Sequence, residues 1–366
     1  VDLATIGLFS LATLPYTWKF LWSPLMDRFR PPFLGRRRGW ALITQVALLF
    51  SIAAMGQIDV KESLDTVLLL VFLVSVFSAS QDIVIDAYRR ELLADDELGT
   101  GTSIHINAYR LSTLVPGSLA LILADFMPWS VAFNVTAIFM LVGIVTTLVV
   151  REVSDDALAP RTLREAVVEP FREFFGREGL GPAFAILAFI LLYKLGDNMA
   201  VALATPFYID MGFSLTEIGT IAKFSALWSS IAGSIIAGVI MLKLDINRSL
   251  WVFGFVQIIT ILGFAWLSTV GHSPLGLFIV VSGEYLGVGM GTVALTAFLA
   301  RETSRAFTAT QFALFSSIVV IPRTFANATT GFLIESMGYT QFFLLCTLLA
   351  IPGMLMLLVV APWKRR

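Results

Sequence analysis

Eleven apolar stretches, each long enough to cross a bilayer, run through this chain, and the basic residues sit on only one set of the connections between them. The stretches fall near 4–26, 40–56, 67–88, 100–124, 129–150, 182–204, 216–241, 250–269, 275–299, 308–334 and 341–361. A helix of about 20 apolar residues spans the ~30 Å hydrocarbon core. The segments are continuously apolar and too long for the strands of a membrane barrel, which alternate over about ten residues. The composition agrees: 57% of residues are hydrophobic and 14% charged, against about 25% charged in soluble domains. The expected fold is an all-α polytopic membrane protein.

The loop cations set the orientation. Arg28, Arg30, Arg36–Arg38, Arg89, Arg90, the arginines of 151–177, Lys243, Arg248, Arg301, Arg305 and Lys364–Arg366 lie on alternate connections, and Lys61 alone lies on the others. Positive loops stay in the cytoplasm, so the expected C-terminus is cytoplasmic and Val1 lies outside. An odd number of spans with an external start implies that a first helix precedes the chain. The net charge of -1 says nothing about partners, the asymmetry of the loops being what informs, and no nucleic-acid partner is expected. The lone Cys346 excludes an internal disulfide and reads as packing within an apolar span.

The one long connection, 151–181, carries both charge signs and an amphipathic run from Thr162 to Phe175, read as a cytoplasmic linker with a surface helix. It separates an N-terminal bundle of five spans (1–150) from a C-terminal bundle of six (182–366). With one helix restored, the halves become six and six. DLATIG at Asp2–Gly7 echoes SLTEIG at Ser214–Gly219, and Arg110 and Arg323 occupy corresponding helices. Repeated halves place a substrate site at their interface near the midplane.

The loop SPLMDRFRPPFLGRRRGW, Ser23–Trp40, resembles the signature of the major facilitator superfamily, an acidic-Arg pair followed by a Gly and a basic cluster. Six residues rather than one separate Asp27-Arg28 from Gly35. The runs FLWSPLMDR (Phe20–Arg28), FLGRRRGW (Phe33–Trp40), SASQDIVIDAY (Ser78–Tyr88), LYKLGDN (Leu192–Asn198) and ATQFAL (Ala309–Leu314) resemble the AmpG-type muropeptide permeases over nearly the whole chain. The resemblance implies a major facilitator fold of two six-helix bundles, the first helix being absent from this chain. It also implies a monomeric, proton-driven importer of N-acetylglucosaminyl-anhydro-N-acetylmuramyl peptides in the bacterial inner membrane, working in peptidoglycan recycling without cofactor or metal. Asp27 would receive a neighbouring helix end and gate the outward-facing state, with Arg28, Arg36 and Arg37 beside it. Acetyl-CoA carriers share parts of the pattern and give the alternative substrate.

Charges inside the spans cost about 3 kcal/mol each at mid-bilayer, so they face a partner or a cavity. The cations are Lys19, Arg110, Lys194, Lys223 and Arg323; the anions are Asp82, Asp86, Asp197 and Glu284. Asp82 and Asp86 share a helix face, where burial and like charge favour a protonated form, as a proton carrier requires; two separate structural pairs are the other reading. Lys194 and Asp197 form either an internal pair or part of a substrate site. Arg110 and Arg323 either grip a substrate carboxylate through their guanidinium forks or neutralise Asp82 and Glu284. Lys19, Lys223 and Glu284 complete the candidate substrate set, with Tyr16, Trp18, Tyr109 and Trp228 as stacking surfaces. His105 could pair with Asp82 or Asp86.

An enzyme reading finds no chemistry to stand on. His105 and His272 are the only histidines, and the sequence holds no HExxH, GxSxG or phosphate loop. A non-transporting sensor is the remaining alternative class, and uptake into vesicles separates it from a carrier.

Overall fold

A computed structural model describes residues 14–58, 63–153 and 159–363, without the side chains of 64, 178 and 323–328. Every regular element among the described residues is a helix. Backbone polar groups in hydrocarbon have no water to bond, and a helix satisfies them within one segment. Nine of the described helices are long and apolar enough to span a membrane: Arg36–Met55, Asp65–Leu92, Leu98–Phe126, Trp129–Val149, Leu180–Asp210, Leu215–Ile240, Ile246–Val270, Pro274–Glu302 and Thr329–Val360, with Thr308–Pro322 a shorter apolar helix. Of the stretch 4–26, residues 4–13 lie outside the described residues; the rest forms α1 (Leu14–Trp18), a 3-10 turn at Lys19–Leu21 and the start of α2 (Ser23–Arg28).

The elements that follow are α3 (Arg36–Met55), α4 (Leu64–Leu92), α5 (Leu98–Ser112), α6 (Ala120–Phe126), α7 (Trp129–Ile138), α8 (Met140–Val149) and the linker helix α9 (Leu163–Glu178). Then come α10 (Leu180–Leu192), α11 (Leu195–Ala202), α12 (Ala204–Asp210), α13 (Leu215–Glu217), α14 (Phe224–Ile240), α15 (Ile246–Val270), α16 (Pro274–Glu302) and α17 (Thr308–Val360). Local chemistry sets the ends. Ser214 and Glu217 form a capping box, each side chain bonding the other's backbone N–H (3.2 and 2.9 Å), which satisfies two amides at the helix start. Asp245 caps α15 by accepting from Arg248 N at 2.8 Å. Inside α17, Gly338 takes φ 77° and breaks the helix in two, a backbone region that only glycine enters without cost.

The contacts sort the chain into two compact units. Unit 1 holds 1–94, 108–173 and 303–317; unit 2 holds 95–107, 174–302 and 318–366. Each unit therefore takes one short segment from the other half of the sequence. Under the start of α17, unit 1 packs Met26, Ala41, Ile83, Val84, Ala87, Ala309 and Ala313 against Phe20, Trp22 and Trp40. The core of unit 2 is aromatic: the Phe207, Phe264 and Phe343 rings meet with centroids 5.0 to 6.1 Å apart.

Small residues bring the helices of unit 2 close. A Cβ at Gly233 on α14 would lie 2.2 Å from the Leu286 carbonyl oxygen of α16, and one at Gly289 on α16 would lie 2.4 Å from the Ser230 carbonyl oxygen of α14. In lipid, where tails are as apolar as leucine, such close van der Waals contact drives helix association.

Candidate functional site: two buried charge clusters

In unit 1, one carboxylate holds the start of α17. The first turn of a helix carries unpaired N–H groups and a partial positive charge, which suit an anion. Asp27, fully buried, supplies it. Its Oδ1 accepts from Ala309 N (3.2 Å) and its Oδ2 from Thr310 N (2.8 Å) and Thr310 Oγ1 (2.7 Å). The Arg37 guanidinium, also fully buried, donates to Asp27 Oδ1 (2.8 Å), to Glu91 Oε1 (2.6 Å), to Thr308 Oγ1 (2.8 Å) and to the Met26 carbonyl (3.1 Å). Thr308 Oγ1 in turn donates to Glu91. Arg36 donates to the Asp27 carbonyl at 3.0 Å and lies 3.9 Å from Glu91. Two acids and two arginines thus balance.

The loop that carries this cluster is tightly bent. Leu34 has φ 59° and Gly35 φ 85°, and a Cβ at Gly35 would fall 2.5 Å from Glu152 Oε2. The positive φ calls for glycine there, and a side chain would also push Glu152 aside. Glu152 Oε2 receives the Arg38 backbone N–H at 3.0 Å. Arg28 stays out of the network and places its guanidinium over the Phe29 ring, 5.6 Å from the centroid. Linker helix α9 reaches the same helix start: Gln311 Nε2 donates to the Pro170 carbonyl (2.8 Å) and to Glu173 (2.6 Å), while Gln311 Oε1 accepts from Ser304 N (2.7 Å).

Higher on α4, Asp82 and Asp86 go to different cations. Lys19 bonds Asp82; Arg89 donates to Asp86 at 2.8 Å and lies over the Phe312 ring at 5.7 Å. The Asp86 and Lys19 side chains are buried, whereas 37% of the Asp82 side chain is exposed. Beside this pair Tyr16 bonds Ser78, and Trp22 Nε1 donates to Ser80 Oγ at 2.9 Å. Trp18 and Tyr109 are exposed; Arg110 is half-buried at the end of α5.

In unit 2, the chain breaks between α10 and α11. Lys194, at φ −106° and ψ 6°, sits in the break, and Asp197 lies in the first turn of α11. Lys194 and Asp197 form a buried ion pair. Glu284 on α16 is fully buried and faces Asp197, Lys194 and Thr260. Glu284 Oε1 and Oε2 and Asp197 Oδ1 have no hydrogen-bond donor. Lys223 is exposed and donates to Thr205 Oγ1 at 3.0 Å. Trp228 is about half exposed. The Arg323 side chain lies outside the described residues. His105 sits in the middle of α5, in the segment that packs in unit 2, away from a helix start.

Spacing alone missed Glu91, Thr308 and Gln311. Two of them carried a signal: Glu91 is an acid directly after Arg89 and Arg90 in the last turn of α4, and Thr308 stands at a helix start, the residue type favoured where backbone N–H groups need caps.

A many-helix bundle with charges clamped at a helix start and buried at mid-span is the architecture of a membrane carrier. The comparisons narrow that class. The model of the Major Facilitator Superfamily matches residues 2–320. An uncharacterised protein of Haemophilus influenzae is 46% identical over all of this chain and 88% of its own length. The anhydromuropeptide permease of Escherichia coli K12 is 41% identical over 98% of this chain and 73% of its own. Among solved structures, the transporter FucP in its outward conformation has a TM-score of 0.73 at 9% identity, covering 99% of this chain and 89% of FucP. The human organic anion transporter TETRAN has a TM-score of 0.74 at 13% identity, covering 97% and 83%. These two share the fold. The chain belongs to the AmpG-type permeases of the major facilitator superfamily, and it is a multi-pass membrane transporter rather than an enzyme.

Proposed function

We propose that this protein imports anhydromuropeptides across the bacterial inner membrane by alternating access, driven by protons. The observation that carries the substrate class is the 41% identity to the Escherichia coli anhydromuropeptide permease across 98% of the chain. The one-sided loop cations place the C-terminus in the cytoplasm. The two sequence halves, 1–150 and 182–366, act as the rocking bodies, joined by the 151–181 linker, and the carrier works as a monomer.

The segments that each unit takes from the other half, 303–317 and 95–107, are the contacts such rocking must exchange. Asp27, Arg36 and Arg37 act as the gate because they hold the start of α17. Asp82 is the coupling group: of the two α4 carboxylates it is the more open, and its partner Lys19 offers a site for charge exchange when a proton arrives. Asp86, closed in by Arg89, supports it. A muropeptide offers carboxylates and sugar faces. Tyr16, Trp18, Tyr109 and Arg110 of the first sequence half, and Lys223 and Trp228 of the second, are the groups proposed to meet them, with Arg323 the matching cation of the second half.

Competition for binding tests the substrate. Purified protein in nanodiscs should bind labelled anhydromuropeptide, and unlabelled anhydromuropeptide should displace it. Displacement by acetyl-CoA instead would move the protein to the alternative substrate class.

A further inference from the structure

We infer that Glu284 and Asp197 share one bound proton beside Lys194, making the interior of unit 2 a proton-holding site. This goes beyond the coupling role of Asp82, since it holds whichever solute is carried.

The geometry leads there in three steps. First, the three side chains are closed to solvent: Glu284 is 0%, Asp197 3% and Lys194 6% exposed. A sugar peptide has no room to reach them, which turns these residues from solute binding to an internal role. Second, the charges of the described residues do not balance. Two carboxylates and one ammonium leave one net negative charge in the interior of a helix bundle, where an unpaired ion costs several kcal/mol. Third, the buried atoms here without a hydrogen-bond partner are Lys194 Nζ, Asp197 Oδ1 and both Glu284 oxygens, and one added hydrogen would join the two carboxyl groups. Glu284 and Asp197 face each other, yet Asp197 Oδ1 and both Glu284 oxygens lack a donor. Two ionised carboxylates are acceptors only; facing one another, they cannot bond. Adding H⁺ to Glu284 makes a carboxyl O–H that can donate to Asp197 Oδ1. The remaining anion, Asp197, keeps Lys194, and the cluster becomes neutral.

Among the described residues, the hydroxyl and amide groups nearest the site are each engaged elsewhere. Thr260 Oγ1 on α15 donates to the Gln257 carbonyl (3.0 Å), and Gln257 Nε2 donates to the Gly287 carbonyl (3.1 Å). The Tyr193 hydroxyl, which lies near Asp197, donates to the Leu250 carbonyl (2.9 Å). Tyr208 on α12 and Cys346 on α17 are the other titratable neighbours of Glu284. The site abuts the break between α10 and α11, where the backbone at Lys194 is not helical.

Infrared spectroscopy of the full chain in lipid tests this directly, through the carbonyl stretch of protonated carboxyls in the wild type and three variants. Glu284→Gln should remove one protonated-carboxyl equivalent. Asp197→Asn should remove the same equivalent, because Lys194 then neutralises an ionised Glu284. Lys194→Gln should add one equivalent, since both acids then protonate. Thermal unfolding verifies that each variant is folded, and the Asp197 and Lys194 variants keep the test alive if Glu284→Gln fails to fold. A band area unchanged from wild type in any folded variant overturns the proposal. Because these readouts need neither solute nor gradient, they stand or fall apart from the transport assignment.

Discussion

The two buried clusters use the same ingredients to opposite ends. Around Asp27, two acids meet two arginines, and both Asp27 oxygens receive backbone or side-chain donors. Around Glu284, two acids meet one lysine, and three carboxylate oxygens are left without donors. A satisfied cluster is a clamp: its charges belong to the fold, and breaking any partner exposes the rest. An unsatisfied cluster is a place where a proton can come and go. Burial alone does not tell a structural charge from a functional one; the count of donors and acceptors does.

The same chemical edit in each cluster should therefore give different results. Asp27→Asn trades a carboxylate that accepts four hydrogen bonds for an amide that accepts at only one oxygen, and leaves Arg37 without one of its anions. Breaking a buried pair in this way costs about 3–5 kcal/mol, so the thermal or denaturant midpoint of the purified protein should fall furthest for this variant. Glu91→Gln keeps the shape and removes one charge-assisted bond; a loss of about 1.5–3 kcal/mol is expected, with most transport lost as α17 loses its anchor. Gly233→Ala controls for packing rather than charge. Its Cβ meets the backbone of α16, so a loss of about 1–3 kcal/mol should appear with no change in the protonated-carboxyl band. The smallest effect belongs to Glu284→Gln, whose amide can still donate to Asp197: its unfolding midpoint should shift by less than about 1 kcal/mol equivalent. A Glu284→Gln penalty as large as that of Asp27→Asn would erase the contrast between the clusters.

Much of this was legible before any coordinates. Continuous apolar runs gave the spans because hydrocarbon admits little but helices, and the ends at Met55, Val149, Val270 and Val360 lie within a few residues of the expected 56, 150, 269 and 361. Asp27 and Arg37 stood out as an acid and a base in a short loop. The pairing of charges was not legible. Asp82 and Asp86 share a face by their spacing, yet Lys19 and Arg89 draw them apart, because partner choice depends on which helix packs alongside and local spacing says nothing of that. Glu284 and Asp197 lie far apart in sequence, and only the α11–α15–α16 packing shows that they face each other. The exchange of 95–107 and 303–317 between units was invisible for the same reason: hydropathy marks where a helix lies but not what its end touches.

The most direct test of the account is uptake of labelled anhydromuropeptide into proteoliposomes, with and without an imposed inward proton gradient. Wild-type protein should concentrate the solute above its external level only while the gradient lasts. Asp82→Asn should equilibrate the solute without concentrating it. Accumulation by wild type that ignores the gradient, or gradient-driven accumulation undiminished in both Asp82→Asn and Asp86→Asn, would contradict the account.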